Sequence, residues 1–248
     1  MPLRCALRIL ALTGLVLLGG CAGTSSSPGE EADAYAVNDP LEPVNRGVWA
    51  FNTTFDEYIF KPVATAYRDY VPEVVQNSIR SFLNNLRSPV IMFNDGLQGQ
   101  GKLAGDTFAR MWLNTILGLG GIMDVATDLG IPFHDADFGQ TLGVWGVPAG
   151  PYLVLPILGP SDPRDAAGLA ADVVADPFNG LMRRADADYV TYGRSVVNGV
   201  DTRSRNIDIL DRIQSTSLDF YATIRSLYRQ RRDAIIRHEA PPEGNPNP

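Results

Sequence analysis

The sequence predicts an all-α chain. Three observations carry that reading. Apolar residues recur at steps of three and four along most of the body, no stretch sustains a period-two alternation, and the periodic runs are broken by Gly and Pro. The body runs from residue 38 to 238 and shows neither an internal repeat nor a second-domain boundary.

What precedes the body is a leader and a tether. Arg4 and Arg8 make a basic start, and Ile9 to Leu18 is an apolar run too short to remain as a membrane span. The run ends in Leu18-Gly19-Gly20-Cys21. Small residues before a cysteine suit the narrow cleft of a signal peptidase. Residues 1–20 therefore read as a lipoprotein signal peptide, with cleavage before Cys21 and lipid attachment at that residue. The alternative is an ordinary secretory signal with a chance cysteine. By similarity to bacterial lipoproteins, Ala22, where an Asp would favour inner-membrane retention, implies sorting to the outer membrane. Residues 21–37 are a Ser-, Gly- and acid-rich lipidated tether with little to bury. Residues 239–248 are a Pro- and Asn-rich tail expected to be disordered.

Cysteine usage fits this organisation. The two cysteines are Cys5 and Cys21; one leaves with the leader and the other carries lipid. The mature chain then has no disulfide, and its 228 residues (248 − 20) must rely on an ordinary interior. The net charge of −7 becomes −9 once Arg4 and Arg8 are lost. Such an acidic chain has no electrostatic means of holding nucleic acid.

The helices follow in order. Val44, Val48, Phe51, Phe55 and Tyr58 fall on one face of a first helix, with Asp39 as N-cap and Glu42 three residues on. Pro72 begins a second helix, with Val75, Ile79, Phe82, Leu83 and Leu86 on one face. Lys102 to Leu117 is a third and Asp162 to Ala175 a fourth. Arg203 to His238 reads mostly as one long amphipathic helix carrying Ile207, Leu210, Ile213, Phe220, Ile224, Leu227 and Tyr228. Core packing is the expected use of most of these stripes.

Two stretches stand apart. Phe138 to Ser161 carries no charged residue but four prolines and five glycines, which forbid a spanning helix. It reads as a helix to about Val147, then an apolar loop or bent hairpin through Pro160. Two uses stay open: a buried core loop, or a segment, with Tyr152, Leu153, Val154, Leu155 and Pro156, that lines or gates a lipid path. In Tyr189 to Val200 the one charge is Arg194. That arginine is either paired or snorkelling, or it meets a phosphate in a channel.

Catalytic chemistry is not legible. Gly96 to Leu103 approaches a P-loop, but Leu103 replaces the hydroxyl that would hold magnesium. No nucleophile elbow is present, and the two histidines, His134 and His238, have no adjacent Ser or Cys. His134, Asp135 and Asp137 have a spacing common in solvated loops, so no metal site is assigned. No catalytic residue and no cofactor is expected.

The blocks Asn38 to Arg46, Arg68 to Pro72, Leu113 to Gly121, Asp124 to Ala126, Phe138 to Gly143, Gly150 to Pro156 and Arg164-Asp165 stand in one order. Together with Phe108 they resemble the MlaA (VacJ) family of outer-membrane lipid-asymmetry lipoproteins, from about Asn38 to Arg205. The resemblance implies a ring-like helical domain lying in the inner leaflet of the outer membrane, with an amphipathic central channel. It implies removal of misplaced outer-leaflet phospholipid, association with a trimeric porin, and hand-over to a periplasmic phospholipid carrier. Two other functions compete: a lipoprotein phospholipase clearing the same lipids, and a scaffold that only steadies porins.

Overall fold

The structure, a computed structural model, describes residues 39–238. The expected signal peptide, the lipid-attachment residue Cys21, the expected tether and the C-terminal tail lie outside the described residues. Eleven α-helices account for most of the described chain, in the order α1 (Glu42–Phe55), α2 (Lys61–Tyr70), α3 (Glu73–Leu97), α4 (Gly101–Ile116), α5 (Val125–Asp128), α6 (Phe138–Val144), α7 (Pro163–Ala175), α8 (Pro177–Arg184), α9 (Asp188–Arg205), α10 (Ile207–Thr216) and α11 (Phe220–Ile236). One antiparallel hairpin interrupts them. Its strands β1 (Leu153–Leu155) and β2 (Gly159–Ser161) pair with Val154 opposite Pro160. This is the bent hairpin expected inside the uncharged run. The preceding helix stops at Val144, somewhat short of the Val147 expected.

A five-residue π-helical turn, Asp56–Phe60, joins α1 to α2, with the Lys61 N–H bonded to the Asp56 carbonyl. Pro62 follows at the first turn of α2, where its missing N–H costs least. The turn also positions Asp56 against Arg203 of α9, which donates to both carboxylate oxygens at 2.7 and 2.8 Å.

Three sequence expectations need correction. Asp39 does not cap α1; the N-cap position is Leu41. Asp39 is instead buried and accepts from Asn45 (2.8 Å), Arg225 (3.0 Å) and the Tyr221 hydroxyl. The segment from Arg203 onward is not one long helix. The chain turns extended at Ser217, and Asp219 caps α11 by accepting from the Ala222 N–H. Most consequential, the apolar stripe along α1 and the π-helical turn is not core: Val44, Phe51 and Tyr58 are exposed, and the buried residue of α1 is Asn45. Val75 and Phe82 of α3 are exposed as well.

The inversion extends through the described residues. Buried polar and charged side chains outnumber buried apolar ones, while Phe93, Phe108, Trp112, Ile116, Tyr189 and Tyr192 are among many large apolar side chains left outside. The apolar core is small: Tyr152, Val154 and Tyr221, with Val48, Trp49 and Tyr228 packed against them. Edge-to-face ring contacts at 6.0 Å join Tyr152 to Tyr221 and to Tyr228.

Two asparagines one heptad apart on α1 hold the hairpin. Asn45 donates to the Tyr152 carbonyl (2.9 Å) and accepts from the Val154 N–H (3.0 Å). Asn52 does the same for the Leu155 carbonyl (2.9 Å) and the Ile157 N–H (2.7 Å). Their side-chain amides stand in for a neighbouring strand along β1. Elsewhere α6 and α7 approach so closely that a Cβ on Gly168 would fall 2.1 Å from the Gly139 nitrogen. Replacing Asn45 by Leu removes partners from Asp39, Tyr152 and Val154 at once. We expect thermal unfolding in detergent to report a loss of about 2–4 kcal/mol, the cost of buried groups left unpaired.

Candidate functional site

A cavity lined mostly by polar side chains lies where α3, α7, α8, α9 and α11 meet the end of the hairpin. Its volume is about 400 Å³, within the roughly 300–1,000 Å³ usual for ligand sites. From α7 it takes Asp165, Leu169, Asp172 and Val173, and Asp176 follows in the link to α8. These positions fall at steps of four, three, one and three, so they share one helical face. α3 contributes Leu83, Asn84, Arg87 and Val90; α9 contributes Arg194, Ser195 and Asn198; Tyr228 and Arg232 come from α11.

Each guanidinium on this wall is committed to a carboxylate. Arg194 pairs with Asp176 at 2.7 Å and lies over the Phe178 ring at 5.1 Å. Arg232 donates to both Asp137 oxygens at 2.7 and 3.0 Å, and its Nε is 2.6 Å from Asp165. Arg87 turns to Asp135 at 2.9 Å. Among the described residues Asp172 accepts from neutral donors alone, the Phe138 N–H (2.9 Å) and Asn94 (3.0 Å).

Burial works against the Asp137 carboxylate, yet the Arg232 guanidinium holds it below the usual carboxylate range. Burial pushes the Asp172 carboxyl up, with Asp137 adding to the rise. Burial and the Asp165 carboxylate both push the Tyr228 hydroxyl up, so it remains a donor, 2.6 Å from Asp165.

Of the sequence-predicted residues, Arg194 lies on the cavity wall and is paired. Tyr152 and Val154 are buried in the aromatic core, Leu153 and Leu155 are half-buried and Pro156 is exposed. The hairpin reaches the wall through Pro160 and Ser161 instead. Sequence reading missed Asp172, Asp176, Asn179 and Arg232. The available signal was the polar stripe of Asp165 and Asp172 on an Ala- and Val-rich helix, continued by Asp176 just past its end.

The histidine loop is tied down piecemeal. His134 Nε2 lies 2.8 Å from the buried Asp95, and Thr107 approaches the same nitrogen at 3.4 Å. A hydroxyl–imidazole–carboxylate relay needs opposite ring nitrogens, so this arrangement is a clasp between α3, α4 and the loop. Asp135 and Asp137 go to Arg87 and Arg232.

The family model for the MlaA lipoprotein matches residues 37–235. The chain belongs to the MlaA lipoprotein family. Among MlaA relatives, the intermembrane phospholipid transport system lipoproteins of Shigella flexneri and of Escherichia coli K12 are each 38% identical over 247 residues, covering 97% of this chain and 94% of theirs. The MlaA of Haemophilus influenzae is 35% identical over 227 residues, covering 90% and 87%. A solved structure from work on the "Structural basis for maintenance of bacterial outer membrane lipid asymmetry" superposes with a TM-score of 0.72 at 38% identity, covering 80% of this chain and 98% of that one. The MlaA fold is thus the helical arrangement described above.

The Arg232–Asp137 pair gives a pH prediction. A carboxylate held low contributes stability that is present above its unfolded value near 4 and lost as pH falls through the folded one. Arg232→Gln should cost about 3 kcal/mol at neutral pH. Thermal melts between pH 7 and pH 3 should show a shallower acid limb in the variant than in the wild type.

Proposed function

We propose that this chain is an outer-membrane lipoprotein that moves phospholipid as part of an intermembrane transport system. The observation that carries the reading is the inverted burial: apolar side chains outside, paired charges inside. An exterior bearing Phe93, Phe108, Trp112 and Ile116 suits hydrocarbon better than water. Among the described residues no helix is long and apolar enough to cross a membrane. Amphipathic helices lying in one leaflet satisfy both facts.

The physical need is large. Exposing two acyl chains of about fifteen methylenes each to water costs on the order of 24 kcal/mol at ~0.8 kcal/mol per methylene. A charged head group in hydrocarbon costs several kcal/mol more. A polar interior for the head, open to lipid for the tails, lowers both terms without a chemical step. The protein in this reading is no enzyme, and the clasp at His134 offers no relay for a phospholipase.

In this reading the cavity is part of an amphipathic channel through a ring-like body in the inner leaflet. Arg194 lies on its path. Tyr152, Leu153, Val154, Leu155 and Pro156 set the hairpin from which Pro160 and Ser161 reach it. Acyl chains on Cys21 hold the periplasmic face of the membrane. A trimeric porin is the membrane partner, and a soluble periplasmic carrier takes the lipid onward, which supplies direction.

Two measurements test this. Deleting the gene should raise surface phospholipid, read by a membrane-impermeant amine reagent, and lower detergent resistance; unchanged values for both would refute the transport reading. Restoring the gene as Arg194→Gln should leave protein level normal but recover lipid clearance only in part, several-fold below wild type. Full clearance would remove Arg194 from the path.

A further inference from the structure

The cavity wall is richer in acceptors than a phosphate site should be. Four carboxylates, Asp137, Asp165, Asp172 and Asp176, face three guanidinium groups. Arg87 is drawn off to Asp135, which is not on the wall. Asp137 and Asp165 share Arg232, and Asp165 also takes Arg164 at 3.0 Å, so both of these carboxylates are answered. Among the described residues Asp172 is the one of the four without an ion pair, and its two hydrogen bonds come from neutral donors.

A second, independent observation points the same way. Asn179 of α8 is buried and lines the cavity. Its Nδ2 donates to the Val173 carbonyl at 3.1 Å, which fixes the amide's orientation. Its Oδ1 has no hydrogen-bond partner. A buried acceptor without a donor is costly, and a half-buried carboxylate bonded only by neutral donors, with Arg87 acting on it through charge alone, keeps part of its charge unanswered. Both are relieved by an occupant that brings N–H groups and positive charge.

We propose that this cavity holds the primary ammonium of an amine-bearing phospholipid head group, donating to Asp172, Asp176 and Asn179 Oδ1, and disfavours head groups of net negative charge. The proposal rests on the phospholipid-transport reading and adds a selectivity to it. A trimethylammonium group carries the charge but no N–H, so it satisfies the carboxylates electrostatically and leaves Asn179 unmet. An anionic glycerol head group meets a wall whose guanidinium groups are already engaged, which is exclusion by repulsion.

The test uses the full acylated protein in detergent and short-chain lipids as probes. Calorimetry with dihexanoyl-phosphatidylethanolamine, -phosphatidylcholine and -phosphatidylglycerol should rank affinities in that order. The first and last should differ by roughly tenfold or more, the size of one charge-assisted hydrogen bond. Asp172→Asn should bring the three close together. Asn179→Asp, which adds a carboxylate, should widen the gap, so a misfolded Asp172 variant does not remove the test. Equal affinities in the wild type, or a preference unchanged by both variants, would overturn the proposal. Phosphatidylcholine binding as tightly as phosphatidylethanolamine would overturn the N–H assignment. Ethanolamine alone binding as tightly as the lipid would overturn the head-group assignment in favour of a free amine. Proteoliposome transfer separates the two readings: no movement of any lipid sinks transport, whereas equal rates for all three sink only the selectivity.

Discussion

Buried charge that must be paired is the constraint on which this structure depends. Asp39, Asp95, Asp162, Asp176 and Asp201 are all buried, and each is answered by hydrogen bonds from Arg, Asn, Tyr, His, Thr or the backbone. Asp201 alone receives Arg80 and Arg205, at 3.1 and 3.2 Å. Such pairs do not gain much over a well-packed apolar core, but breaking one leaves a stranded charge. Their number therefore speaks less of stability than of specificity: the helices fit in one arrangement because the charges do.

That constraint explains why the exterior can be apolar. In water an exposed Phe51, Phe108 or Tyr189 would drive the chain to bury it. In a lipid leaflet there is no such drive, and the usual division of labour between surface and interior reverses. In the placement we propose, the interior supplies what a leaflet lacks: fixed dipoles and charges around a space of about 400 Å³. The close contact of Gly168 with Gly139 seats α7 against α6, and the capping box of Asp137 with Gln140 fixes the start of α6. Together they bring the carboxylate stripe of α7 and the Asp137–Arg232 pair to one wall.

Much of the helical layout was legible because propensity and punctuation survive the inversion. Pro72 marks the start of α3, Asp162 caps α7 by accepting from the Asp165 N–H, and the Gly- and Pro-rich run yields the hairpin. What misled was the meaning of the stripes. A period of 3.6 says which residues share a face, not whether that face meets protein or lipid. The α1 stripe therefore reads as core in the sequence, whereas the side chain that α1 buries is Asn45. Asp39 looked like a cap because its distant partners, Tyr221 and Arg225, have no local signature. Asp172 and Asn179 escaped notice for the same reason: a carboxylate among alanines and valines reads as solvated surface until its neighbours in space are known. Arg194 stands out in the sequence because it is alone in an apolar run, while its partner Asp176 is 18 positions away on another element.

The Asp39 junction also governs the order in which the chain can close. It joins the first turn of the body to α11, 182 and 186 positions further on. The hairpin that Asn45 grips is itself 107 residues downstream. Contacts of such long sequence separation form late and slowly. The first helix thus waits, with its aromatic stripe bare, until almost the whole chain has emerged. During that interval the apolar side chains of α1 have no assembled body beside them, so the fold closes at the end of the chain's emergence rather than along it.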